Sequence, residues 1–550
     1  MNLQPRIILL LCLIFSGCSR LVFPPDVELA VYPEEKMHRV GNVVCWNIGR
    51  GTYYSQENDP LHPEWRTPEM VASVQALSQI RPANNDSVFI RFSGLQIDGS
   101  LGNDGYHFWD YVDPAHTPAP EDNMSVHEYM SFITESGAEP LVTLNYSSGT
   151  ASEAADYVKY LNGTDPTDTI VQARQFWGQS SPYNVKTFEI GNEVFGPWNT
   201  GYSAYSEYSY ANPSAHNGGD PSWYGKPSSD PANYAGRAME YITAVTAVAP
   251  FAKFNIVLNL ASFSYWGGMD ASLEALRPLL IIPAVEGVVI HQYNLDEAAA
   301  GNGPIDEIPE FWASSSSMYE GNYRLLKEKL DGIPRYGLPL KIAVTEHHVA
   351  DGFSKGKFKY EDTIIPALGV ADNIILFLNV GVELACVHLS ISFQGTEEFL
   401  YEPWYNPFYL DSSGQLEKKP VYNGVKLVAG HLGRWVVRKE DIKMKDIDGD
   451  LSGLGYTCPV LHWVAMTSED QSILSLIFLN RKTDYPLNVR IKVGDKWHAS
   501  SATVLSSKSL YSNYVEEEIG LKSLELSCRN GIVGIRLQPS SITGIRLIKK

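Results

Sequence analysis

The sequence predicts an α/β protein, a (β/α)8 TIM barrel followed by a C-terminal all-β sandwich domain. Between residues 42 and 390, eight short apolar runs alternate with helix-length segments, which is the strand count of such a barrel. After residue 420, strand-like runs separated by turn residues replace this alternation. A doubly wound open sheet is the alternative for the first region, but no GxGxxG motif follows the first strand, so a nucleotide-binding version has no support.

The predicted barrel strands are nearly continuous in hydrophobicity, as parallel strands are when helices cover them. They are Asn42–Gly49, Val88–Gly94, Pro140–Tyr146, Thr187–Glu193, Phe254–Ala261, Val285–Tyr293, Lys341–His348 and Glu383–Leu389. Helix signals lie between them: a start at Thr67-Pro68, a capping box at Ser125–Glu128, and helical segments at Tyr234–Val248 and Ala367–Val380.

Four segments make up the predicted domain organisation. Residues 1–18 are a signal peptide, and residues 19–40 are an N-terminal segment whose strand-like run could join the sandwich. Residues 41–420 form the barrel and residues 421–550 the sandwich. The sandwich strand candidates are Ser472–Asn480, Leu487–Val493, Ile532–Leu537 and Gly544–Ile548.

The N-terminus predicts export. Arg6 precedes a nine-residue apolar run, Ile7–Phe15, which is too short to span a bilayer because a helix needs about 20 residues for that. The ending Phe15-Ser16-Gly17-Cys18 resembles a bacterial lipobox, in which the cysteine is acylated. We therefore expect a cell-envelope lipoprotein, in the outer membrane or periplasm, that contacts the membrane only through lipid on Cys18. Plain secretion and an uncleaved anchor stay open as alternatives.

Composition narrows the class of partner. The chain of 550 residues has 43 Lys and Arg against 63 Asp and Glu, a net charge of −20, and such a surface repels nucleic acid. Its 12 Trp and 31 Tyr suit a carbohydrate partner, although aromatic side chains also fill cores. Outside the leader, Cys45, Cys386, Cys458 and Cys528 form no CxxC pattern of a metal or redox site. Cys458 and Cys528 could form a disulfide or remain buried free thiols. The sequence also leaves the oligomeric state open, and an oligomer is possible.

Two acids stand where a barrel places its chemistry. Glu193 closes the fourth strand and Glu346 lies near the end of the seventh, and functional groups project from these carboxyl ends. Two carboxyl groups that converge in a pocket are what glycoside hydrolysis requires. The two strands lie on opposite sides of the barrel, so the side chains can meet across its mouth. Because two carboxylates and water suffice, no metal and no organic cofactor is expected; unrelated acids in salt bridges are the alternative.

Several motifs resemble one family. Ile190-Gly191-Asn192-Glu193 is similar to the Gly-Asn-Glu signature of clan A glycoside hydrolases. Gly149-Thr150, Glu153-Ala154 and the run Tyr157–Gly163 resemble a segment of family 51 α-L-arabinofuranosidases, and Arg91–Gly94, Tyr106–Trp109 and Phe478–Arg481 sit where that family has related residues. The resemblance covers most of the mature chain in patches and implies a divergent relative.

The resemblance implies roles for individual residues. Glu193 would be the general acid/base and Glu346 the nucleophile of a retaining mechanism, while Asn192 would bond the sugar hydroxyl beside the anomeric carbon. Tyr293 would orient the nucleophile, and Arg91 would be its partner or part of a barrel ion pair. The further substrate-binding candidates are His291, Trp46, Asn47, Gln96, Trp198 and His347.

Departures from the family concern the binding pocket. The first strand has Trp46-Asn47-Ile48-Gly49-Arg50 in place of Glu-His-Leu-Gly-Arg, Ser93–Gln96 replaces Pro-Gly-Gly-Asn, and His347-His348 replaces Trp-Asn. Changes of this kind alter substrate preference. Trp198 and the Tyr-rich segment Gly201–Asn233 are predicted to form an aromatic wall over the cleft. The sequence thus favours an α-L-arabinofuranosidase-like hydrolase of polysaccharide side chains or oligosaccharides. The alternatives are a clan A hydrolase of xylan, galactan or another pyranoside, and a non-catalytic carbohydrate-binding lipoprotein.

Overall fold

A computed structural model gives the architecture and describes residues 25–48, 68–92, 126–146, 149–176, 178–196, 228–260, 265–295, 316–350, 363–389, 406–411, 413–446, 458–512 and 519–550. Cys18 with the leader, Gln96, Trp198 and residues 201–227 lie outside these ranges, so what was predicted for them stays a prediction. None of the helices within the described ranges is both long and apolar enough to cross a membrane.

Eight parallel strands close into a barrel in chain order, which confirms the predicted fold class. They are β2 Asn42–Ile48, β3 Phe89–Phe92, β4 Glu139–Leu144, β5 Thr187–Ile190, β6 Lys253–Val257, β7 Val285–Leu295, β8 Lys341–Ala350 and β9 Leu384–Leu389. The last strand pairs with the first, and Cys45 lies opposite Cys386 in that register. These two residues and Leu141 pack together as a small cluster of their own.

Helices cover the outside of the barrel. The described ones are α1 Pro68–Ser78, α2 Val126–Ser136, α3 Ala151–Asn162, α4 Thr169–Phe176, α5 Pro231–Val248, α6 Gly268–Leu280, α7 Ser317–Asp331, α8 Ile365–Val380 and α9 Pro420–Ala429. Local capping sets several ends: the Thr150 hydroxyl accepts the Glu153 N–H at the start of α3, and Asp230 caps α5 in the same way. Gly381, at φ 78°, ends α8 in the left-handed conformation that glycine adopts readily.

The second domain is a large, mostly antiparallel sheet of ten described strands. In spatial order they are β17 Leu521–Ser523, β16 Trp497–Ser506, β20 Ser541–Lys549, β14 Ile473–Asn480, β13 Leu461–Thr467, β12 Trp435–Lys443, β1 Val27–Arg39, β15 Leu487–Lys492, β19 Ile532–Leu537 and β18 Ser527–Arg529. Strand β1 lies between β12 and β15, so the N-terminal segment is part of this sheet. Strands β16 and β20, near one end of this order, and strands β15 and β19, near the other, contribute to a common apolar core, as in a sandwich. A short hairpin, β10 Phe408–Leu410 and β11 Leu416–Lys418, precedes α9.

The junction between the domains differs from the prediction. Residues 421–429, predicted to begin the sandwich, belong to helix α9, which starts at Pro420 and packs against α8. Pro420 suits a first helical turn because its missing N–H is not needed there. Val421, Val425 and Val428 are buried with the helix period, so the signal was present in the sequence. The sheet resumes only at Trp435.

Helix α8 is shared by both domains. It packs on β8, β9 and β2 of the barrel and on β13, β14 and β20 of the second domain. Of its residues only Asn379 is not buried, and a helix that is buried around its whole circumference is a core helix. Barrel residues and one side of the second-domain sheet therefore share a continuous core around α8, separate from the sheet's own apolar core.

Candidate active site

The two predicted catalytic acids meet at the carboxyl end of the barrel. Glu193 follows β5 and Glu346 lies in β8, and a carboxylate oxygen from each lies within 4.8 Å of the other and of a His291 ring nitrogen. His291 Nδ1 is 2.8 Å from Glu193 Oε1 and 3.4 Å from Glu346 Oε2. The imidazole therefore bridges the two acids.

A tight turn aims Glu193 at the barrel mouth. Gly191 has φ 78°, and a Cβ at this position would lie 2.6 Å from Val194 Cγ1 and 2.9 Å from Tyr146 Cβ, so no larger residue fits. Glu193 itself has φ 44°, a conformation that costs a non-glycine residue on the order of 1–3 kcal/mol and that clusters at functional sites. The carbonyl of Glu193 accepts the N–H of Gly196 at 2.8 Å, which closes the turn.

Glu346 is held as a carboxylate by convergent donors. Arg91 Nη1 donates to Oε1 at 2.7 Å, and the Tyr293 hydroxyl donates to Oε2 at 2.6 Å. Burial would raise the pKa of Glu346, but His291, His388 and Arg91, together with the Tyr293 hydrogen bond, outweigh it and hold the pKa below its ordinary value. The group is therefore ionised at neutral pH.

Arg91 connects the polar side chains at the base of the site. It is fully buried and donates to Glu189 at 2.6 Å, to Asn192 Oδ1 at 2.7 Å and to Asn47 Oδ1 at 3.0 Å. Burial would lower the pKa of the guanidinium, but Glu189 and Glu346 reverse this and raise it. Arg91 is thus both the partner of Glu346 and the centre of a barrel ion pair, the two roles that the sequence left open.

Two members of this network were not among the predicted residues. Glu189 lies on β5, fully buried, and accepts from Arg91 and from the Thr143 hydroxyl. His388, on β9, accepts a 2.5 Å hydrogen bond from Asn47 and has its Nδ1 3.8 Å from Glu346 Oε2. Both are ionisable residues within otherwise apolar strands, and that pattern could have identified them because such residues are seldom buried without partners.

Two predicted substrate-binding residues, Trp46 and His347, point away from the pocket. Neighbouring strand residues point to opposite faces, and Asn47 occupies the inner face of β2. Trp46 therefore lies buried between the strands and the helices, and its indole N–H has no hydrogen-bond partner in the described part of the chain. His347 packs edge-on against Phe377 of α8 with ring centroids 5.0 Å apart, and burial lowers its pKa to about 3. His348 shares the face of Glu346 instead.

The site has the donor types that a cation would use, but most are already engaged. Glu193, His291 and Glu346 are close enough to be metal ligands. Both oxygens of Glu346, however, already accept short hydrogen bonds, one of them from the Arg91 guanidinium. The guanidinium supplies the positive charge that a carboxylate cluster needs, so the arrangement is suited to nucleophilic and acid–base chemistry by the side chains themselves.

Comparison by sequence finds relatives of one kind over part of the chain. A family model described as the alpha-L-arabinofuranosidase 1 domain matches residues 104–216. Alpha-L-arabinofuranosidase C of Emericella nidulans is 36% identical over 115 residues, which cover 19% of this chain and 23% of that protein. The chain thus matches less than a quarter of the length of this relative.

Comparison by structure covers nearly the whole chain. The family 51 alpha-L-arabinofuranosidase AbfB of Bifidobacterium longum superposes with a TM-score of 0.70 at 16% identity, covering 95% of this chain and 100% of that one. The arabinose complex of alpha-L-arabinofuranosidase from Thermotoga maritima gives a TM-score of 0.67 at 18% identity, covering 94% and 99%. At such identities the likeness is one of fold. The chain therefore resembles family 51 arabinofuranosidases locally in sequence and almost completely in fold.

Proposed function

We propose that the protein is a retaining glycoside hydrolase that acts on α-L-arabinofuranosides of polysaccharide side chains or oligosaccharides. The observation that carries the proposal is the pair Glu193 and Glu346, with carboxylate oxygens within 4.8 Å of each other and Glu346 held ionised. Retaining enzymes place their two carboxyl groups about 5–5.5 Å apart, whereas inverting enzymes need about 6.5–9.5 Å to admit a water molecule between them. The short separation favours retention.

The contacts of the two acids support different roles in the first step. Glu346, fixed by Arg91 and Tyr293, attacks the anomeric carbon, and the bond from that carbon to the leaving oxygen breaks. The side chain of Glu193 is 20% exposed against 8% for Glu346, so it has room beside a departing group and delivers its proton to the leaving oxygen. The product of this step is a glycosyl ester on Glu346 and a free alcohol.

The second step reverses these roles. Glu193, now ionised, accepts a proton from water while the water oxygen bonds to the anomeric carbon and releases the Glu346 carboxylate. His291 lies against both acids and keeps them in the same relative position through the two steps. Asn192 has its Oδ1 engaged by Arg91, so its amide nitrogen is the group that would donate to the adjacent sugar hydroxyl.

The substrate class is supported by resemblance rather than by the catalytic pair. The local sequence match to arabinofuranosidases and the fold likeness favour an arabinofuranoside. The predicted first-strand departure, Trp46, does not face the pocket, which weakens the case for a different sugar. A xylan, galactan or other pyranoside hydrolase and a non-catalytic binder remain the outcomes that an experiment must separate. Attachment to the cell envelope through Cys18 remains a prediction from the leader sequence.

A panel of aryl furanosides and pyranosides tests the proposal. We expect the wild type to release aglycone from the α-L-arabinofuranoside with retention of anomeric configuration by proton NMR. Glu346→Gln should lose about 10³-fold or more in kcat/KM because the nucleophile is gone. Glu274→Gln is the matched control, since Glu274 is an exposed helix residue paired only loosely with Arg277.

Each other result has a clear meaning. Activity that survives in Glu346→Gln contradicts the assignment of the nucleophile. Cleavage of a pyranoside alone overturns the arabinofuranoside specificity but keeps the mechanism. Binding of oligosaccharides without cleavage of any panel member or polysaccharide would make the protein a carbohydrate-binding module.

A further inference from the structure

The outer face of β7 is anchored by buried polar contacts. Gln292 stands between His291 and Tyr293, the two β7 residues that touch the catalytic acids, and its side chain points away from them. Gln292 Nε2 donates to Asn373 Oδ1 at 2.9 Å, and its Oε1 accepts the Tyr323 hydroxyl at 2.7 Å. All three of these groups are fully buried. One side chain from α8 and one from α7 therefore hold the outer face of this strand, which also pairs with β6 and β8.

Helix α7 holds the same strand at a second point. The Tyr319 hydroxyl donates to the main-chain carbonyl of Tyr293 at 3.1 Å. Tyr319 and Tyr323 are one helical turn apart, so they contact consecutive strand residues from the same helix face. Two hydrogen bonds from α7 therefore hold β7, one at the main chain of Tyr293 and one at the side chain of Gln292.

The residue next to Asn373 reaches into the second domain. Asp372 is fully buried, and its two oxygens lie 2.8 and 3.0 Å from Arg481 Nη2, while Oδ1 is 2.7 Å from His462 Nδ1. Arg481 follows β14 and His462 lies in β13. The hydroxyl of Ser316, at the start of α7, also donates to Asp372. One carboxylate therefore ties α7, α8 and the second domain together.

The charge of Asp372 makes this junction rigid. Burial would raise its pKa, but Arg481 and His462 outweigh burial and hold the pKa below its ordinary value. A buried carboxylate tolerates no displacement of its partners, because losing one leaves an uncompensated charge. Nearly all other residues of α8 are buried between the two domains, so the helix cannot shift without disturbing the core on both sides.

We propose that Arg481 and Asn373 are positioning residues, through which the second domain holds β7 where His291 and Tyr293 meet Glu193 and Glu346. The chain of contacts runs from Arg481 to Asp372, along α8 to Asn373, and then to Gln292. A misplacement of about 1 Å in a reacting group is enough to lower a rate about 10²-fold. This inference rests on the proposed function, since it concerns the same two acids.

The test compares variants along this chain of contacts with a matched variant elsewhere. Asn373→Leu keeps the side-chain shape and removes the acceptor, and Arg481→Met removes the charge. Tyr323→Phe removes only one hydroxyl and is the variant safest for folding. The control is Asp86→Asn, which breaks the ion pair of Asp86, in the barrel, with Arg434, at the edge of the second domain, away from β7.

We expect kcat to fall about 10–10²-fold in Asn373→Leu and Arg481→Met with little change in KM. The kcat of Tyr323→Phe should also fall, but by less. Arg481→Lys should regain much of the kcat that Arg481→Met loses. Asp86→Asn should keep the wild-type kcat.

The pH profile distinguishes positioning from general destabilisation. The groups that face Glu346 are Arg91 from β3, Glu193 after β5, His291 and Tyr293 from β7, and His388 from β9. Of these groups, we expect only His291 and Tyr293 to be displaced in the variants. Both members lower the pKa of Glu346, so the acidic limb of kcat/KM should move to higher pH.

Opposite results overturn the inference. If Asn373→Leu, Arg481→Met and Tyr323→Phe keep the wild-type kcat and acidic limb and lose only thermal stability, the contacts are structural alone. If the wild type cleaves no substrate, the proposed function fails first. A crystal structure of Asn373→Leu then decides the positioning separately: the distance from Tyr293 Oη to Glu346 Oε2, 2.6 Å in the wild type, should exceed hydrogen-bonding range, and an unchanged distance refutes the inference.

Discussion

The interior of the barrel at its mouth and the core of the second domain are buried to the same degree but built from different chemistry. The barrel interior contains the fully buried charges of Arg91 and Glu189 together with the nearly buried Glu346. The second-domain core is apolar, with Trp463 stacked on Phe478 at a centroid distance of 5.8 Å. Burial alone therefore does not distinguish the two regions, because buried charges need fixed partners and buried apolar groups do not.

The difference has an energetic consequence. Buried charges are tolerated only while each has its partners, and removing one partner leaves the other uncompensated in a low dielectric. In return, dipoles and charges held in this way are already oriented for a transition state. An apolar core makes no such demand, so its substitutions act on stability through lost area and cavities. We therefore expect substitutions in the barrel interior to change both kcat/KM and the free energy of unfolding, and substitutions in the second-domain core to change the free energy of unfolding alone.

Arg91→Met gives the largest expected effect, because it removes the cation from between Glu189 and Glu346. We expect the free energy of unfolding to fall by about 3–5 kcal/mol, as for other broken buried pairs. We also expect kcat/KM to fall by about 10²-fold or more, as when one preorganised donor is removed. Urea denaturation and aryl glycoside hydrolysis measure the two losses.

The control is the same substitution at Arg490 on β15, whose pair with Glu28 is partly exposed. Such pairs contribute about 0–1 kcal/mol, and catalysis should not change. Equal losses in the two variants would erase the distinction between the barrel interior and the second domain.

Tyr293→Phe has an intermediate effect because it removes the hydroxyl that donates to Glu346 Oε2 and leaves the Arg91 donor in place. The Tyr293 hydrogen bond lowers the pKa of Glu346. Its loss should raise that pKa, so the acidic limb of kcat/KM moves to higher pH, with a loss of about 10-fold or more at neutral pH. Tyr485→Phe, at an exposed position of the second domain, serves as the control. A limb that stays in place or moves to lower pH would show that Tyr293 does not act on Glu346.

Much of this polar interior could be predicted from the sequence, because the positions of the barrel strands could be predicted and they determine where the two acids lie. Eight apolar runs place Glu193 and Glu346 at the carboxyl ends of the fourth and seventh strands, and this order alone brings them across the mouth. The structure brings the other candidates Arg91, Asn47, Asn192, His291 and Tyr293, which the resemblance implied, into the same cluster. Their roles in catalysis remain predictions.

The sequence could not show which residues of each barrel strand point into the barrel and which point toward the helices. On a strand covered by helices outside and filled by side chains inside, both faces are buried, so hydrophobicity does not show which residues point inward. Trp46 and His347, predicted to bind substrate, lie on the outer face of their strands. Each is one position from a residue that faces the pocket. The contacts of Asp372 with Arg481 and His462 were equally hidden, because they join residues about 90 to 110 positions apart.

The smallest expected effect comes from one methyl group, tested in both regions. Ile491→Val on β15 and Ile290→Val on β7 each remove a methyl from a fully buried side chain, and each should cost about 0.5–1.5 kcal/mol of unfolding free energy. Only Ile290 adjoins His291, so we expect kcat/KM to fall in Ile290→Val and to keep the wild-type value in Ile491→Val. With matched losses of stability, any difference in catalysis must come from the position of β7. An equal response of the two variants would mean that the polar interior tolerates repacking as well as the apolar core does.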